Sequence, residues 1–118
     1  MLNILGNIAA VSSHTPPAHW FRITYSRNAF LRLLTELGLE LDALTVDEGE
    51  RAMRSFMAAY RPQHAEMDRF SATNRTAQGH RERVFARRMQ RHDHPVSTLR
   101  LVFELEDGAV VGRRLDQS

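Results

Sequence analysis

Thr98-Leu99-Arg100-Leu101-Val102-Phe103-Glu104-Leu105-Glu106-Asp107-Gly108-Ala109-Val110-Val111-Gly112-Arg113-Arg114-Leu115 decides how the chain is read. Leu99, Leu101, Phe103 and Leu105 stand at every second position and alternate with Arg100, Val102, Glu104 and Glu106. A strand turns alternate side chains to opposite faces, so this row marks the buried face of a sheet. Asp107-Gly108 is a dipeptide favoured by the two-residue type I′ turn, whose central residues both need positive φ. The pattern predicts a hairpin over 98–115, with Leu105 opposite Val110 and Phe103 opposite Gly112.

Upstream, the spacing changes from two to between three and four. Phe30, Leu33, Leu34 and Leu37 predict a helix over 29–37, with Gly38 as the residue that ends it. Thr45-Val46-Asp47-Glu48 has the form of a capping box: the Thr45 hydroxyl accepts from the Glu48 backbone, and the Glu48 carboxylate accepts from Thr45. A helix then runs to about Tyr60, with Val46, Met53, Phe56, Met57 and Tyr60 on its apolar face, and Pro62 marks its stop. Gln63–Phe70 reads as another short helix and Ser71–Gly79 as a polar connector. Trp20–Ser26 is rich in aromatic and β-branched residues and reads as a strand.

The stretch 80–92 reads as an arginine-rich helix. At 100° per residue, Arg83, Arg87 and Arg91 form one row, and Arg88 lies beside Arg81. About half the circumference is then guanidinium, while Phe85, Ala86 and Met89 form the packing side. The expected fold is a single α+β domain over 1–118. A small antiparallel sheet, made of the strand near 20–26 and the hairpin 98–115, packs on three or four helices.

Composition limits the chemistry. The chain has 118 residues, 42% hydrophobic and 25% charged, which is ordinary globular usage for one domain. It has no cysteine, which excludes disulfides, thiolate metal sites and a thiol nucleophile. All sixteen basic residues are arginine, so a P-loop lysine and a Schiff-base lysine are both excluded. Residues 1–13 are apolar but carry no basic residue, so they lack the positive start of a secretory signal, and the stretch is too short for a membrane span. His92-Asp93-His94 places two imidazoles close together, but no third ligand at metal-site spacing accompanies them, and they read as surface residues. No metal, cofactor or catalytic residue is expected.

The net charge is only +2, so the local distribution is more informative than the sum. Six acids lie between Glu36 and Glu50 with no base among them, and six arginines lie between Arg75 and Arg91 against one acid, Glu82. The arginine row has three readings: it faces the acidic stretch of its own chain, tracks a nucleic-acid backbone, or docks on an acidic protein surface. A winged-helix arrangement is disfavoured, because the hairpin tip at Glu104-Leu105-Glu106-Asp107 would repel phosphates. The expectation is a non-enzymatic cytoplasmic accessory or regulatory module that works by protein–protein contact through Arg81, Arg83, Arg87, Arg88 and Arg91. The alternative is a nucleic-acid-binding protein that uses the same residues.

Overall fold

The computed structural model describes residues 26–62 and 65–118. In chain order these form helix α1 (Ser26–Glu36), a 3-10 turn (Leu41–Ala43), helix α2 (Val46–Ala59) and strands β1 (Ala65–Ala77), β2 (His80–Arg91), β3 (Ser97–Glu106) and β4 (Ala109–Gln117). The strands make one antiparallel sheet in the order β1-β2-β3-β4, so each strand pairs with its neighbour in sequence.

The helix boundaries follow from local chemistry. α1 ends in a Schellman motif: the Leu39 amide donates to the Leu34 carbonyl at 2.8 Å and the Gly38 amide to Thr35 at 3.0 Å, with Gly38 at φ 75°. The capping box of α2 is formed as expected: the Glu48 amide donates to Thr45 Oγ1 at 3.1 Å, and the Thr45 amide to Glu48 Oε1 at 3.0 Å. These contacts satisfy backbone donors that a helix start leaves without intrahelical partners.

The core lies between the helices and one face of the sheet. Phe30, Leu33 and Leu34 of α1 and Ala52, Met53 and Phe56 of α2 meet Phe85, Leu99, Leu101, Phe103 and Leu115. The aromatic rings pack edge-on within each layer, with Phe30 to Phe56 at 5.4 Å between the helices and Phe85 to Phe103 at 6.0 Å between neighbouring strands. Leu99, Leu101 and Phe103 are buried as the alternation requires, and Leu105 is half-buried near the hairpin tip. Leu105 pairs with Val110. A register shift between Glu104 and Leu105 then puts Arg113, rather than Gly112, opposite Phe103.

The expectation of three or four helices is overturned. Two α-helices and a four-stranded sheet are present among the described residues, and the fold is mixed α+β. The expected helix over 63–70, connector over 71–79 and arginine-rich helix over 80–92 are instead β1 and β2, a hairpin turned by Gln78 (φ 54°) and Gly79 (φ 80°). The reason is tertiary. Arginine, methionine, glutamine and alanine favour helices intrinsically, yet β2 is an inner strand with a full ladder on each side, and pairing with β1 and β3 overrides that preference. Of the expected strand at 20–26, residues 20–25 lie outside the described residues, and Ser26 begins α1.

Candidate functional site: the sheet face away from the helices

Strand alternation divides the arginines that the helical reading had grouped. Arg81, Arg83 and Arg87 share the side of β2 that carries the core residue Phe85, while Arg88 points to the opposite face. Arg91 follows the odd-numbered alternation and is half-buried. The five residues therefore form no single surface.

Arg87 belongs to the architecture. It is only 3% exposed, its Nε donates to Asp68 Oδ1 at 2.8 Å, and its Nη2 donates to Asp68 Oδ2 at 2.9 Å and to the Tyr60 carbonyl at 2.8 Å. Its guanidinium also lies 5.2 Å from the Phe56 ring centroid. This forked contact ties β2 to β1 and to the end of α2. Arg83 donates to Asn74 Oδ1 at 3.1 Å and lies over Phe85, and Arg81 is exposed. None of the β2 arginines forms an ion pair with the acidic stretch 36–50 among the described residues. There, Glu50 pairs with Arg54 and Glu48 closes its helix cap.

On the face away from the helices, Cα partners form four rows across the sheet. These are Arg75–Glu82–Glu104–Gly112, Thr73–Val84–Val102–Arg114, Ser71–Ala86–Arg100–Asp116 and Arg69–Arg88–Thr98–Ser118. The first two rows hold a charge network that reaches Asp116 in the third. Arg75 Nε donates to Glu82 Oε1 at 2.7 Å, and Arg114 Nη1 donates to Glu82 Oε2 at 3.1 Å and Glu104 Oε2 at 3.2 Å. Arg114 Nε completes it with Asp116 Oδ2 at 2.8 Å. Glu82 is buried at 4% exposure, which alone would favour its neutral form. The Arg75 hydrogen bond, then that of Arg114, outweighs burial and holds its carboxyl below the usual range.

The other two rows are not closed in this way. Arg69 and Arg88 are exposed and stand directly opposite each other on β1 and β2. Arg100, diagonal to Arg88, donates to Ser118 Oγ at 2.9 Å. No carboxylate forms an ion pair with these three arginines among the described residues. A depression of about 480 Å³ opens here, lined by Arg88, Arg100, Ser71, Thr98 and Ser118; it reaches Thr73 and Arg75 of the closed rows, and Arg69 stands outside it.

A helical wheel groups Arg88 with Arg81, Arg83, Arg87 and Arg91, whereas the strand sets it beside Arg69 and Arg100, which the helical pattern does not select. The missed signal is the alternation Arg69-Ser71-Thr73-Arg75, which leads into Gln78-Gly79 and resumes as Glu82-Val84-Ala86-Arg88.

At the turn between β2 and β3, His92 Nε2 lies 3.0 Å from Asp93 Oδ2, and His94 Nδ1 lies 2.6 Å from the His92 carbonyl. No group of three or more histidines and carboxylates is placed to hold a metal ion among the described residues. Nor, among them, is any helix long and apolar enough to cross a membrane. No protein-family model, curated protein or solved structure matches the chain.

Proposed function

We propose that the protein is a non-enzymatic, cytoplasmic accessory or regulatory module that works by protein–protein contact. The observation that supports this most strongly is strand β1. It is thirteen residues long and exposed along most of its length, and its outer edge has no strand partner among the described residues. An exposed edge offers backbone donors and acceptors to an extended segment of another protein.

The hairpin fixes which groups are on offer. Ala77 and His80 flank the two-residue turn and form its closing hydrogen-bonded pair. Bonded and non-bonded pairs alternate from there, so Asp68, Phe70, Ala72, Asn74 and Thr76 direct their backbone N–H and C=O groups to the free edge. The most enclosed carboxylates support a binding role over a catalytic one, because Asp68 and Glu82 already accept from arginines that fix the strands.

Affinity purification from the native host tests the reading. The wild-type chain is expected to recover a protein and no nucleic acid. Ala72→Pro deletes one outward N–H, a change edge strands tolerate, and is expected to lower recovery by about tenfold with the thermal transition retained. Thr76→Pro, nearer the hairpin tip, serves the same purpose if Ala72→Pro does not fold. Equal recovery by a folded proline variant, or recovery of RNA or DNA alone, would overturn the proposal.

A further inference from the structure

The unclosed half of the sheet face carries a second inference, which is independent of the β1 edge. We propose that Arg88 and Arg100, flanked by Arg69, form a binding site for the phosphate group of a small phosphate monoester.

The argument starts from a contrast within one face. In the rows containing Glu82 and Val84, both arginines, Arg75 and Arg114, have a carboxylate within hydrogen-bonding distance. In the rows containing Ala86 and Thr98, Arg69, Arg88 and Arg100 have none among the described residues, and the single acid, Asp116, is held by Arg114. Like charges directly opposite on neighbouring strands repel, and Arg69 faces Arg88 in that position. The arrangement lacks the counter-charge that the same sheet supplies two rows away.

The chemistry around the gap selects the ligand. Opposed residues on adjacent strands have Cβ atoms about 5 Å apart, and diagonal ones about 7–8 Å, so guanidinium groups from Arg88 and Arg100 can converge on one group of oxygens. The hydroxyls of Ser71, Thr98 and Ser118 border the same depression and add neutral donors. Several donors around a surplus of positive charge suit a dianion with three terminal oxygens better than a carboxylate with two. Val84 and Ala86 also line the depression but are themselves buried, so the surface it offers is mainly polar and suits the phosphate group itself. The volume of about 480 Å³ lies within the range of small-molecule sites.

Amide NMR titrations with inorganic phosphate and O-phosphoserine, with acetate as control, test the site. Both phosphates are expected to give saturable shifts confined to 69–73, 86–88 and 96–100, and acetate at least about tenfold weaker binding. Binding weakens as the pH falls below about 6, where a phosphate monoester loses its second charge. Arg88→Gln and Arg100→Gln each weaken binding by about tenfold, while Arg81→Gln, exposed on the other side of β2, leaves it unchanged. The proposal fails if acetate binds as well as phosphate, or if Arg81→Gln costs as much as Arg88→Gln. It also fails if a single-stranded oligonucleotide binds with equal dependence on Arg81 and Arg88, which would make the arginines a diffuse polyanion surface.

Discussion

Gly49 shows how a single hydrogen atom can position a helix. A Cβ built on it would stand 2.5 Å from Cζ and 2.7 Å from Cε2 of Phe103, the fully buried ring at the centre of the sheet. Intrinsic propensity favours alanine over glycine inside a helix by about 1 kcal/mol. Overpacking a dense core costs about 1–3 kcal/mol, and here the obstruction is a fully buried ring packed edge-on against Phe85. Packing wins, and Gly49→Ala is expected to destabilise the fold by about 1–2 kcal/mol in a denaturant titration. A more stable variant would mean that α2 does not rest on Phe103. Nothing local in the sequence signals this role of Gly49, because its partner is more than fifty residues away. Arg87 is opaque for the same reason: nothing near it in the chain announces Asp68 or the Tyr60 carbonyl, so it reads as one more surface cation.

The elements that were legible are those whose signals close within a few residues. The Thr45–Glu48 box, the end of α1 at Gly38 and the Asp107-Gly108 turn each involve groups at most five residues apart. β1 and β2 were not legible, because a twelve-residue stretch of arginine with Val84, Phe85 and Met89 fits a helical wheel as readily as a strand. What decides is partnership with β3, which no local window contains. The Glu82 network shows the consequence, since it draws together side chains from all four strands. Its carboxyl is held low in the folded state by Arg75 and then Arg114, so the unfolded chain binds its proton first as the pH falls. The stabilisation is therefore present above the ordinary glutamate value of about 4.3 and is lost as the pH falls through the lower folded value. Thermal stability is expected to decline in that acidic window, and Glu82→Gln should flatten part of the decline. An unchanged acid profile in Glu82→Gln would show that the network does not couple protonation to folding.

At the scale of the whole molecule, the sheet separates charges that adjoin in sequence. A helix over 80–92 would have placed Arg83, Arg87, Arg88 and Arg91 on one side, and a duplex with three or four phosphates neutralised there would show a log–log salt slope of about −3 to −4. The strand instead buries Arg87, leaves Arg81 and Arg83 on the side of the helices and turns Arg88 to the opposite face beside Arg69 and Arg100. The acidic residues Glu36, Glu40, Asp42 and Asp47 are exposed on the segments that carry the helices, and they weaken the attraction of that side for a polyanion. Three arginines on one face limit the slope to about −3 at most, so any DNA binding is expected to be weak at physiological salt. Arg88→Gln should reduce that slope by about one, while Arg81→Gln and Arg83→Gln should leave it unchanged. Fluorescence anisotropy with a labelled duplex over about 50 to 200 mM salt measures both quantities. A slope steeper than about −4 that loses one unit for each of Arg81, Arg83 and Arg91 would require those residues to share a surface with Arg88. Strand alternation in β2 forbids that arrangement, so such a result would overturn the sheet itself.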